Sequence, residues 1–353
     1  MYRRVMKKVK ESNVDAYIVR NDANRNYLCS KGNYYLPGIL LITAEEVFLA
    51  TPSRNIKYFK NIYSEYTVFF GGIDEIVKTS FSKGIKSLGY ESTTTSKYDY
   101  DMLVKKFSGV ELVDMPQFIE DVRMIKTEKE VEFIQQAVDL ADKAYLEFLN
   151  FIKVGMTEKQ ARNIFNDILM HMGAEGFSFD TLLSSGSRCF MPHCAPTEKV
   201  IKKGDLVLMD FGVVLNGYCS DTSRTIVMGN ADDRQKEMYN LVLKAQIMAL
   251  ENIKAGMTCR EADAFSRNII TKKLDKGCFD YGLGHGIGME VHEKPRLHPQ
   301  SDYILSENTI VSVEPGIYIE NWGGIRIEDL LLIEKEKGGR NLTKAPKDTL
   351  LEI

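Results

Sequence analysis

The stretch Met209-Asp210-Phe211-Gly212-Val213-Val214-Leu215-Asn216-Gly217-Tyr218-Cys219-Ser220-Asp221-Thr222-Ser223-Arg224-Thr225 decides how the later part of this 353-residue chain folds. Asn216-Gly217 is the strongest short hairpin signal, because both central residues of the favoured turn take positive φ. With those two residues as the loop, Asp210 falls opposite Ser223 and Asp221 opposite Gly212. The two aspartates then become diagonal neighbours on one face, with Cα atoms about 7–8 Å apart. Left alone they would repel, and burial would raise their pKa.

A second pair of acids behaves alike. Glu314 and Glu328 flank the loop around Glu320-Asn321-Trp322-Gly323-Gly324, and a loop centred on a whole residue between 321 and 323 keeps both on one face. These acids interrupt apolar runs (Leu206-Val207-Leu208-Met209 and Ile310-Val311-Ser312-Val313) where a buried charge has to be paired or bound to metal. His285, in Gly284-His285-Gly286, adds one imidazole. Four carboxylates balance two divalent cations. An oxygen-rich set with one nitrogen suits Mn²⁺, Co²⁺ or Fe²⁺ better than the nitrogen and sulfur sets of structural zinc. Two such ions side by side activate water for hydrolysis, so these five residues mark a candidate metallohydrolase.

Composition narrows the remaining classes. At 353 residues the chain exceeds the usual single core, so two domains are expected, 1–122 and 123–353. A net charge of −3 offers no long-range attraction to nucleic acid or anionic membrane, so neither is expected as a partner. No apolar run reaches the roughly 18–20 residues of a membrane span. The basic start (Arg3, Arg4, Lys7, Lys8, Lys10) reads as one solvated helix face, since no apolar core follows it. Six scattered cysteines without a C-x-x-C pair point to reduced thiols and a cytoplasmic location.

Residues 1 to about 120 read as a small α/β domain. Strand-like runs at 16–19, 39–42, 47–50 and 87–90 alternate with helix-like stretches near 1–12, 71–82 and 96–107. Thr127-Glu128-Lys129-Glu130 is a capping box that opens a long helix. Beyond it lies an internal repeat. Gly155-Met156-Thr157-Glu158-Lys159-Gln160-Ala161 recurs as Gly256-Met257-Thr258-Cys259-Arg260-Glu261-Ala262, each opening a capped helix of about 18 residues that ends at Gly173 or Gly277. A period of about 100 residues is too long for a solenoid. The expected fold is therefore α+β, with two halves related by a pseudo-twofold axis, one acid hairpin in each, and a smaller N-terminal α/β domain.

With those motifs in view the chain resembles the pita-bread metallopeptidases. The resemblance rests on Asp210-x-Gly212, Gly217-Tyr218-x-Ser220-Asp221, Gly284-His285-Gly286-x-Gly288, Glu314-Pro315-Gly316-x-Tyr318 and Gly324-x-Arg326-x-Glu328-Asp329, and covers roughly residues 123–353. Within that family the chain is similar to Xaa-Pro dipeptidases (prolidases) and Xaa-Pro aminopeptidases, which also carry an N-terminal creatinase-like domain. The resemblance implies a C-terminal creatinase/aminopeptidase-like domain holding two divalent ions, Mn²⁺ foremost, with Co²⁺, Fe²⁺ or Zn²⁺ as alternatives. It implies that Asp210, Asp221, His285, Glu314 and Glu328 are the metal ligands, with Asp221 and Glu328 shared by both ions. Glu314 is implied as proton carrier, and His193 and His292 as catalytic histidines beside the substrate.

Three further residues are expected at the substrate. Arg296 lies where prolidases place an arginine that clamps a dipeptide's terminal carboxylate, in the bidentate manner of a guanidinium. Tyr281 stands four positions before His285, where many relatives carry histidine. Arg326 shares the glutamates' face and is expected to orient ligands from behind. The glycines around His285 are expected to leave room for the metals. His171 and His298 are read as structural or exposed, and Ser223, where threonine is common, as a minor departure.

The implied activity is hydrolysis of the bond preceding proline in short peptides, as a dipeptidase first and an aminopeptidase on longer peptides second. A homodimer is expected from relatives and from the frequency of twofold oligomers. A non-catalytic peptide-binding member of the fold, or a metal-free creatinase-like hydrolase, would be marked by missing ligands. All five positions are filled here.

Overall fold

A computed structural model describes residues 1–29, 37–52, 54, 56–335 and 338–353. The chain divides into two compact units, Met1–Arg123 and Met124–Ile353.

The N-terminal unit is one six-stranded sheet. Its order is Thr67–Phe70, Val47–Thr51, Ile39–Thr43, Ala16–Val19, Ser87–Tyr90 and Glu111–Asp114. The hairpin Ile39–Thr43/Val47–Thr51 is antiparallel, whereas both outer strands join in parallel. Ile18, Leu41, Phe48, Ile76, Leu88, Leu103 and Phe107 close its core against the helices Ile73–Ser82 and Lys97–Lys106. The apolar runs at 16–19, 39–42, 47–50 and 87–90 are all strands, as their composition predicts. The strand Glu111–Asp114 lies beyond what pattern shows: its ends are charged and its middle only half-buried.

In the C-terminal unit the helix Glu128–Phe148 starts at the expected box. Thr127 accepts from the Glu130 amide, and the Glu130 carboxylate accepts from the Thr127 amide. Each later half then repeats one plan. The helices Glu158–His171 and Cys259–Ile270 both carry complete capping boxes. The cap threonines form equivalent bridges, Thr157 with Val200 and Thr258 with Ile304. Gly155 N donates to Ile201 O and Gly256 N to Leu305 O, at 3.0 and 2.8 Å. A sheet follows in each half. The first has the order Leu351–Glu352, Thr222–Val227, Leu206–Phe211, Leu182–Ser185. The second runs Glu293–Leu297, Gly284–Gly286, Ile310–Val313, Asp329–Leu332, Arg340–Asn341. Two apolar clusters complete the unit: one packs Val207, Met209 and Ile226 of the first sheet against the helix Glu158–His171, and the other joins Leu206, Leu208 and Val227 of that sheet to Val311, Val313 and Leu331 of the second.

The helices are shorter than the expected 18 residues, at 14 and 12. The first stops just before Gly173, whose φ of +96° turns the chain away. The second stops well before Gly277. That glycine sits instead in a short 3₁₀ turn, where its amide donates to the Asp275 carboxylate.

Candidate active site

The first hairpin has the register its turn dictates. Asn216 and Gly217 both take positive φ (53° and 73°), Leu215 pairs with Tyr218, and Asp210 stands opposite Ser223. The second hairpin is centred on Asn321, with Gly316 opposite Arg326 and Val313 opposite Asp329. Glu314 and Glu328 occupy the gap between those two ladders, across from each other. The hairpins meet through both side chain and backbone. Ser223 Oγ donates to Glu328 Oε2 at 2.7 Å, and Glu328 N donates to Ser223 O at 3.1 Å.

His285 enters from the strand Gly284–Gly286. Its Nδ1 lies 3.0 Å from Gly286 O. A carbonyl only accepts, so the ring proton sits on Nδ1 and the Nε2 lone pair faces the acids. Nε2 is 3.5 Å from Asp221 Oδ2 and 3.4 Å from Glu314 Oε1. Ser312 fixes this arrangement: its hydroxyl accepts from His285 N and donates to Glu314 Oε1, both at 3.0 Å. Gly284 and Gly286 serve a different purpose from the one expected. A Cβ at either would lie 2.0 Å from a carbonyl oxygen, Ser312 O or Lys294 O, so these glycines let neighbouring strands close in. Room for metals is not what they provide.

The electrostatics of the cluster are those of a cation site. Asp210, Asp221 and Glu328 are 8%, 4% and 1% exposed. Burial, then the neighbouring Glu328, Asp210 and Glu314, holds Asp221 well above the usual carboxylate range. Burial and then Glu314 and Asp210 do the same to Glu328. Glu314 is pushed up to about 7, chiefly by burial. Asp210 Oδ1, Asp221 Oδ1 and Glu328 Oε1 are buried without a donor. Asp221, His285 and Glu328 each offer a ligand atom within 4.8 Å of the others. Buried acids with free oxygens facing one imidazole lone pair fit divalent cations, which would both neutralise the charge and fill the missing contacts.

A cleft of about 530 Å³ opens over the cluster and brings together all ten residues singled out from sequence. His193 and His292 stand on its walls. The His292 ring packs on His285 with centroids 4.3 Å apart, and burial first, then His285, Arg296 and His193, pushes it down to about 4. Arg296 is paired with His285 across the edge of the second sheet and is exposed.

Arg326 differs from a substrate-facing role. It is 1% exposed, and Nη2 donates to Asp210 Oδ2 at 2.6 Å, Nε to Ser223 Oγ at 2.7 Å, and Nη1 to Tyr318 OH and Pro192 O at 2.7 and 3.1 Å. With those donors on protein acceptors, it holds Asp210 in place from behind. Tyr281 OH lies 3.3 Å from Glu314 O, to which it can donate, and 3.2 Å from Tyr318 OH, in a setting that holds the phenol well above its usual range, chiefly by burial.

Four residues at the site escaped sequence reasoning. Ser223 is a bridge between the hairpins rather than a minor departure, and its place opposite Asp210 was the available signal. Ser312 and Tyr318 alternate with the acid Glu314 along one run, a cue of the same kind. His298 lines the cleft, where no local motif marks it.

Comparison with known proteins agrees with this geometry. Residues 132–335 match the model of metallopeptidase family M24, and residues 2–125 match the creatinase/prolidase N-terminal domain. An Xaa-Pro dipeptidase of Pyrococcus horikoshii is 36% identical over 99% of this chain and 98% of that protein. The solved structure of an Xaa-Pro dipeptidase from Bacillus anthracis is similar with a TM-score of 0.93 at 35% identity, covering 99% of this chain and 98% of that one. That of an X-Pro aminopeptidase from Thermotoga maritima is similar with a TM-score of 0.88 at 32% identity, covering 98% and 99%. The chain belongs to metallopeptidase family M24.

Proposed function

We propose that this chain hydrolyses the peptide bond preceding proline, foremost in Xaa-Pro dipeptides, with the chemistry in residues 123–353. The observation that carries it is the cluster of three buried acids, the half-buried Glu314 and His285 beneath a cleft that presents an arginine whose side chain is unpaired among the described residues. Asp210, Asp221, His285, Glu314 and Glu328 would hold two divalent ions, Mn²⁺ first among those that an oxygen-rich set accepts. When bound, such ions make a water acidic enough to ionise near neutral pH and withdraw electrons from a scissile carbonyl.

The chain supplies the rest. Glu314, whose carboxylate lies 3.4 Å from His285 Nε2 within the cluster, takes a proton at Oε1 or Oε2 and returns it to the leaving nitrogen. His193 and His292 face the same space, and the neutral His292 donates a hydrogen bond to a developing oxyanion. The Arg296 side chain has no hydrogen bond or ion pair among the described residues, which leaves its guanidinium free for the proline carboxylate. That free cation favours the dipeptidase over the aminopeptidase reading, since a longer peptide places no carboxylate there. The six cysteines are free thiols, which supports a cytoplasmic location, and a homodimer remains the expected assembly.

Two measurements test this. Asp221→Asn is expected to lose bound metal and peptidase activity together, by elemental analysis and Ala-Pro hydrolysis; full activity in that variant removes the mechanism. Ala-Pro is expected to be cleaved in preference to Ala-Pro-Ala, and the opposite order makes the enzyme an aminopeptidase.

A further inference from the structure

The cleft has a second unpaired charge, of opposite sign to Arg296. Asp180 lines it and is exposed, and among the described residues its carboxylate has neither a hydrogen-bond donor nor an ion-pair partner. Its backbone is well fixed. Thr181, next along, is buried, and its hydroxyl donates to Asn166 Oδ1 at 2.8 Å. Leu182, one residue later, pairs with Asp210. Asp180 therefore stands up to about 7 Å along the chain from the level of the acid cluster. Arg296 lies on the edge strand of the other sheet, so the two free charges belong to opposite halves of the pseudo-twofold unit.

A substrate whose carboxylate meets Arg296 on one half turns its amino-terminal residue toward the other. The α-ammonium of that residue lies two bonds from the carbonyl under attack and so sits over the buried acids. A carboxylate at the exposed mouth is met instead by a group that reaches outward, and a lysine ammonium stands on a four-carbon stem. We propose that Asp180 reads the residue before proline and selects peptides in which that residue is lysine or arginine. The inference rests on the Xaa-Pro reading above.

The test uses the full-length, manganese-supplemented protein and two dipeptides, lysyl-proline and norleucyl-proline, which differ by the side-chain ammonium alone. The wild type is expected to favour lysyl-proline in kcat/KM on the order of tenfold, as for a hydrogen bond to a charged group. Asp180→Asn is expected to bring that ratio near one, and Asp180→Glu to keep it. A wild-type ratio of one, or the same ratio in wild type and Asp180→Asn, overturns the proposal. If neither dipeptide is cleaved, the Xaa-Pro reading fails by itself. Calorimetric binding of the lysyl and norleucyl reduced-amide analogues to both proteins then decides this one: tighter lysyl binding in the wild type alone supports Asp180, and equal binding overturns it.

Discussion

Ser223 and Asp142 show how differently one buried polar side chain can be placed. The Ser223 hydroxyl donates to Glu328 and accepts from Arg326, so both its roles are filled. Asp142, 5% exposed on the helix Glu128–Phe148, accepts from the Lys344 amide at 2.6 Å, but its other oxygen has no donor. Burial pushes its carboxyl up to about 6 from the ordinary 3.8, against the pull of the Lys344 amide and of Arg224. The folded state thus favours the neutral form. That contribution is complete below about pH 4 and is lost as pH rises through about 6. Asp142→Asn, which cannot ionise, is expected to match the parent at pH 4 and exceed it at pH 8 by up to about 3 kcal/mol. Urea midpoints at the two pH values check it, and a gain of equal size at both would show that charge is not the cause.

At the scale of elements, the repeat is a repeat of helix starts. Thr157 and Thr258 close the same box and sit at the same bridge, so they have the same work to do. Thr157→Ala and Thr258→Ala are each expected to destabilise the C-terminal unit by about 1 kcal/mol. A large difference between the two urea midpoints would mean that the halves are not equivalent. These starts were legible because a cap is a local pattern, complete within four residues. The hairpin register was legible for the same reason: two adjacent residues with positive φ set every pair down the ladder. Helix ends were less so. Gly277 resembles a stop signal, yet the Asp275 carboxylate beside it makes a tighter turn and the helix has already finished at Ile270.

Across the whole C-terminal unit, Arg224 ties distant segments together. Nη1 donates to Ser223 O at 2.9 Å and to Glu328 O at 2.5 Å, and Nη2 to Asp329 Oδ1 at 2.7 Å and Ala345 O at 2.8 Å. It is 1% exposed and Asp329 is fully buried, where Lys347 Nζ and Asn341 Nδ2 also donate to that carboxylate. One side chain thereby fastens the first sheet, the second acid hairpin and the C-terminal segment. Arg224→Met is expected to cost about 3–5 kcal/mol, since it leaves a buried acid short of its main partner. It is also expected to weaken manganese binding, because the backbone on either side of the Ser223–Glu328 contact loses its anchor. Denaturant unfolding and manganese titration check the two effects, and undiminished metal affinity would show that Arg224 serves stability alone.

By itself the sequence determined what neighbours along the chain decide: the Asn216-Gly217 turn with its register, the capping boxes, the doubled helix start, and which acids share a strand face. It also carried an oxygen-rich donor set of the kind that divalent cations favour. Only the tertiary structure decided that Arg326 would meet Asp210 and Ser223 would meet Glu328, more than a hundred residues apart. It alone placed Asp180 and Arg296 on one cleft from opposite halves. The reason is physical: turns and caps are closed by hydrogen bonds within a few residues, whereas contacts between sheets depend on how two cores pack, which no short-range period encodes.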